Sequence, residues 1–121
     1  MARRPEEYLT DILDAVAAVQ AYTRRGRAAF LRSAMARDAV IARLTQIGEA
    51  VKGAQAGGID LEALASEVPW RQISGMRDVL SHQYWRTDSA IVWSVVTKDL
   101  RPLQAAVRKV RSGRVRRSRR S

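Results

Sequence analysis

The one histidine of the chain, His82, stands in the stretch RDVLSHQYW at 77–85, five residues after Arg77, four after Asp78 and two before Tyr84. These side chains suit a phosphodiester. Cutting RNA without a metal needs a group to take the 2′-hydroxyl proton, another to protonate the leaving oxygen, and a cation for the charge that gathers on the phosphorane. Imidazole titrates near neutral pH and serves as acid or base. A planar guanidinium clamps phosphate and steadies that charge. One histidine is half of an acid–base pair, so one chain is half of such a site. A two-fold pairing of two copies would bring two histidines and two arginines into one cleft. The alternative reading of the residues alone makes His82 a capping or core histidine and Arg77 one half of a helix-face ion pair.

A helix must carry the stretch. PWRQISGMRDVLSHQYW opens on Pro69, a residue suited to a helix start. On a wheel of 100° steps, Met76, Leu80 and Tyr84 fall within about 60° of Ile73 and form the inward stripe. Arg77 lies at its edge, roughly 40° away, and Ser81, Ser74, Asp78, Arg71 and His82 follow at roughly 80° to 180°. Arg77 and His82 thus flank a polar wedge. Small residues at 74, 75 and 81 leave room for a second helix or a phosphate. Asp78 is one helical turn before His82, within reach of its imidazole, and would fix its tautomer or raise its pKa.

The remaining chain reads as helix with no strand signal. Pro5, Glu6 and Glu7 open the first helix and Arg24, Arg25 and Gly26 close it, with Leu9, Ile12, Val16 and Val19 as its stripe. A second runs from about Ala28 or Ser33 to about Gly53 on Val40, Leu44, Ile47 and Val51. AQAGGID is a loop by its glycines, and Asp60 caps a short helix, LEALASEV. Thr87 or Asp88 caps the last, whose stripe is Val92, Val96, Leu100, Leu103, Val107 and Val110, with a kink at Pro102. The architecture is all-α, an antiparallel bundle of about four to five helices. Gly48 inside the second helix fits a close backbone approach, and Glu49 reads as a solvated acid.

At 121 residues this is one domain, large enough for a core without staples. With no cysteine and one histidine it has neither a disulfide framework nor a zinc set. No apolar run approaches the ~18 residues of a membrane span. The start, MARRPEEYLTDIL, lacks the apolar region of a secretory signal, so a cytoplasmic protein is expected. The net charge of +10 is uneven, because RKVRSGRVRRSRRS at 108–121 holds eight bases and no acid. That leaves residues 1–107 at +2. We therefore expect a helical domain over 1–111 and a basic, disordered tail over 112–121. The tail would attract phosphate polymers or simply aid solubility.

Arg77-x4-His82-x-Tyr84 resembles the signature of the HEPN superfamily, and specifically of HepT-like toxins. IGEA at 47–50 is similar to that family's Gly-Glu element. VPWRQISGMRD is similar to its Pro-Trp lead into the motif helix, and VWSVVTKDLRPL to its last helix. The likeness covers roughly residues 6 to 110. It implies a HEPN-like homodimer in which Arg77 and His82 of both copies line one composite cleft and cut RNA with no metal and no cofactor. It also implies a cognate MntA-like nucleotidyltransferase antitoxin, which neutralises the toxin by transferring AMP to the motif tyrosine, here Tyr84. The family often has Asn after the motif arginine. Asp78 stands there in this chain and lowers the positive field on an incoming phosphate.

The expectation is therefore a ribonuclease, the toxin of a type VII-like toxin–antitoxin system. Arg77 and His82 would be catalytic and Asp78 orienting, with Arg71, Arg114, Arg116 and Arg117 as RNA contacts. The alternative is a HEPN adaptor that binds RNA, nucleotide or a nucleotidyltransferase without catalysis, and a purely structural dimer is a third class. No contact with a membrane is expected.

Overall fold

Helix α1 (Pro5–Tyr22) starts on a proline that has no N–H to leave unsatisfied, with Glu6 and Glu7 in the first turn where the helix dipole favours acids. The structure, a computed structural model, describes residues 3–75 and 89–120. Leu9, Ile12, Val16 and Val19 are all fully buried, so the expected stripe is the one that faces the core. Burying each such side chain is worth about 1.5–3 kcal/mol, and an aspartate at Ile12 would forfeit that and strand a charge. α1 ends as the Thr23 hydroxyl donates to the Val19 carbonyl at 2.8 Å. The chain then turns at Gly26 with φ +92°, a conformation that side chains rarely adopt.

The second expected helix starts at the later of its two expected points, as α3 (Ala34–Ala56) after Ser33, and a separate short helix, α2 (Arg27–Arg32), precedes it. Ser33 divides them in an extended conformation and accepts the Ala36 N–H at 3.0 Å, a side-chain cap that starts α3 afresh. Val40, Leu44, Ile47 and Val51 are buried as the spacing predicts. Three residues assigned to the glycine loop are helical, because Ala54 is fully buried and carries α3 on to Ala56. Asp60 caps α4 (Leu61–Leu64) by accepting from the Ala63 N–H at 3.1 Å. That helix is one turn long, shorter than LEALASEV, and the chain beyond it places Ala65 and Val68 in the core.

Helix α5 occupies residues 70–75 up to the edge of the described segment, just after Pro69 as expected. The last expected helix is two: α6 (Ser89–Lys98) and α7 (Leu100–Arg120). The break is at Asp99, three residues before Pro102. Proline lacks the N–H for the carbonyl four residues back and its ring crowds that carbonyl, so the disruption appears a turn earlier than the proline itself. Thr87 and Asp88 lie outside the described residues.

α1 is the centre of the bundle, packed against α3 on one flank and α7 on another. Pro5 and Tyr8 meet Gly57 and Gly53, while Tyr22 meets Arg43, so α1 and α3 run antiparallel. Gln20 bonds Gln104 and Glu6 bonds Arg114, so α1 and α7 are antiparallel too. The fold is all-α, as expected, with more segments than anticipated because α2 stands apart from α3 and Asp99 interrupts the last helix. Among the described residues, no helix is long and apolar enough to cross a membrane.

Residues 112–120 continue the last helix. This segment is expected to be a disordered basic tail, and the structure describes it as part of α7 up to Arg120. Two causes act. The apolar stripe of Leu103, Val107 and Val110 carries the helix into this segment, and Arg114 then continues the inward row and ties it to α1. Bases near the end of the helix also complement its dipole.

Candidate active site

Trp70 sets the start of the helix that leads into RDVLSHQYW. Its side chain is 1 % exposed, and its indole N–H donates to the Ala65 carbonyl at 2.8 Å. A buried indole with its one polar atom satisfied is a rigid anchor. Ile73, one turn on, is buried, and its N–H donates to the Pro69 carbonyl at 3.1 Å. Arg71 is exposed on the opposite face. The Ser74 hydroxyl donates to the Arg71 carbonyl at 3.1 Å, and a β-carbon at Gly75 would meet open space. The wheel thus places Ile73, Arg71 and the small pair at 74 and 75 as found. Arg77, Asp78, His82 and Tyr84 lie outside the described residues, as do Met76, Leu80 and Ser81.

The other expected RNA contacts divide by face. Arg114 is half-buried, and its Nε and one terminal nitrogen donate to Glu6 Oε1 at 2.9 and 2.7 Å. A hydrogen bond from its own backbone and then the Arg114 guanidinium hold the Glu6 carboxyl below its usual range. Arg116 and Arg117 are exposed. Glu6 was not foreseen as a partner, and no local pattern could reveal it across 108 positions.

A second polar feature was also not foreseen. A cleft of about 420 Å³ between α1 and α3 is lined by Arg3, Tyr8, Asp11, Asp14, Arg43 and Glu49, among others. Arg3 donates to Asp11 at 2.6 Å and to Glu7 at 3.2 Å, which raises its pKa further, and it lies over the Tyr8 ring at 4.8 Å. Arg43 donates to Gln46 at 3.3 Å. The exposed position of Glu49 is as expected, and Gly48 beside it is buried. Among the described residues, no group of three or more His, Cys, Asp or Glu could hold a metal ion.

The family model described as Ribonuclease HepT-like matches residues 12–110, a span that contains every motif residue. The chain belongs to the HepT-like ribonuclease family. Among its relatives, a probable ribonuclease HepT of Thermococcus cleftensis is 35% identical over 112 residues, 92% of this chain and 99% of that one. A gamma-glutamylcyclotransferase and putative RNase of Methanocaldococcus jannaschii is 32% identical over 85% of this chain, which spans only 46% of that protein. A putative RNase of Caldanaerobacter subterraneus subsp. tengcongensis is 32% identical over 67% of this chain and 70% of its own. No solved structure matches this HepT-like chain significantly.

Proposed function

We propose that this protein is a metal-independent endoribonuclease and the toxin of a type VII-like toxin–antitoxin pair acting in the cytoplasm. The observation that carries the reading is the family match over residues 12–110, within which Arg77, His82 and Tyr84 stand at the motif spacing. The buried Trp70 and Ile73 support it, because they give α5, which precedes the motif in sequence, a rigid start.

Two copies pair so that both motifs share a cleft. One His82 takes the proton from the ribose 2′-hydroxyl, whose oxygen then bonds to phosphorus. The bond from phosphorus to the 5′-oxygen breaks, and the second His82 supplies the proton to that oxygen. The products are a 2′,3′-cyclic phosphate and a free 5′-hydroxyl. The two Arg77 guanidiniums hold the phosphate oxygens as charge builds on them. Asp78 orients the imidazole. Arg71, Arg116 and their neighbours on α7 hold the RNA backbone. The antitoxin partner is a nucleotidyltransferase that transfers AMP from ATP to the Tyr84 hydroxyl and releases pyrophosphate, leaving a bulky anion beside Arg77 and His82.

Incubation of the purified protein with RNA in EDTA tests the nuclease. Cleavage should appear with wild type and vanish with His82→Ala or Arg77→Ala at unchanged helical content. Cleavage that survives His82→Ala, or that requires added Mg²⁺, refutes the assignment. Binding without any cleavage would make the chain an adaptor.

A further inference from the structure

Between Leu100 and Ser121 the chain carries nine bases and no acid. Because α7 is helical, the cations from Arg101 to Arg117 have defined faces. The inward row is Leu103, Val107 and Val110, all buried, and Arg114 and Arg117 continue it by position. The outward row, at spacings of four, three, four and four, is Arg101, Ala105, Arg108, Ser112 and Arg116, with Lys109 beside Arg108. All six are exposed. Small residues thus alternate with cations along one ridge. From Arg101 to Arg116 the ridge runs about 22 Å at 1.5 Å per residue.

We infer that the outward ridge of α7, formed by Arg101, Arg108, Lys109 and Arg116, is a track for the sugar–phosphate backbone of single-stranded RNA. The identity of the polyanion rests on the ribonuclease reading. Three features favour a track over a solvated face. The four cations have no partner among the described residues, whereas Arg114 on the inward row is held by Glu6 at 2.7 Å. Arg114 is therefore a strut that holds the ridge in place, and the phosphate contacts fall to the outward row. Ala105 and Ser112 place short, exposed side chains beside the cations, so nothing bulky on the ridge stands between them and an approaching backbone. Like charges crowded on one helix repel one another, and a polyanion removes that cost. Lipid is the weaker occupant, because an interfacial helix inserts its apolar face and that of α7 is buried against α1 and α6.

The test uses a 2′-O-methyl oligoribonucleotide, which this chemistry cannot cut, so binding is read apart from catalysis. The track variant replaces Arg101, Arg108, Lys109 and Arg116 with glutamine. A charge-matched control replaces the exposed Arg24, Arg25, Arg27 and Arg32 with glutamine. Each lost contact to single-stranded nucleic acid lowers the slope of log K against log salt by about 0.7, so the track variant should lose about 3. Its affinity near 0.1 M salt should fall at least about tenfold, while the control changes by less than about threefold. Replacing the three arginines of the ridge with lysine should retain binding, and circular dichroism should show all variants equally helical. Equal loss in track and control variants would reduce the effect to net charge and overturn the track. Binding to acidic vesicles but not to the oligonucleotide would overturn it as well. A wild type that binds through the ridge yet never cuts RNA would leave the track standing and remove the nuclease.

Discussion

Tyr8 of α1 occupies the place where a β-carbon on Gly53 of α3 would stand, with three ring carbons 2.5–2.7 Å from that point. The glycine lets the two helices approach, and Arg3 covers the ring. Gly53→Ala should therefore destabilise, since overpacking costs about 1–3 kcal/mol and the helix propensity regained is about 1 kcal/mol. In a Tyr8→Ala background the same substitution should become stabilising. Denaturant titration of the four proteins measures the coupling. A neutral Gly53→Ala in wild type would mean the ring swings aside freely.

The Arg114–Glu6 pair makes the end of α7 sensitive to acid. Glu6 has a depressed pKa in the folded protein, so its contribution is complete above the ordinary glutamate value of 4.5 and is lost as pH falls through the lower folded value. Amide exchange over residues 112–117 should accelerate in that window. Glu6→Gln should show fast exchange at every pH and no acid transition. A wild type whose exchange ratio to Glu6→Gln stays constant from pH 7 to pH 3 would disprove the strut.

Trp70→Phe removes the hydrogen bond to the Ala65 carbonyl and part of a buried volume. The expected cost is about 2 kcal/mol, a fall in Tm of roughly 6–10 °C. Nuclease activity should fall at temperatures where the variant is still folded, because α5, the described helix that precedes the motif in sequence, starts at this residue. Full activity in a destabilised variant would show that the motif does not depend on this anchor.

Tyr84→Phe should leave RNA cleavage near wild type but escape neutralisation. Co-expression with the cognate nucleotidyltransferase should add mass to the wild-type Tyr84 peptide and none to the variant. An unmodified yet silenced wild type would place control in binding alone.

Apolar periodicity was enough to read the stripes of α1 and α3, the capping role of Asp60 and the helix start after Pro69. Each is settled within a turn or two of chain. Two breaks were harder. Ser33 is one of two starts that the sequence offers for the second helix, and the short helix that precedes it, α2, is not visible as a separate element there. Asp99 interrupts a helix on account of a proline three residues later. The tail was read from its charge, whereas its conformation depends on Glu6, far away in sequence. For the site, Arg71, Ser74 and Gly75 were legible because one helix orders them. The α1–α3 cleft was not, since it exists only once two helices pack.

Residues 6 and 114 meet across 108 positions, so the bundle is closed by segments made at well-separated times. α1 is produced before α7, and the apolar surface that α1 shares with Leu103, Val107 and Val110 stays open in between. At about 5–20 residues per second that interval lasts several seconds, during which the nascent chain exposes a hydrophobic seam. Local contacts such as the α1–α3 hairpin form early and distant ones late. The bundle thus closes only once α7 has been translated, which delays any activity of a nascent copy until that helix has emerged.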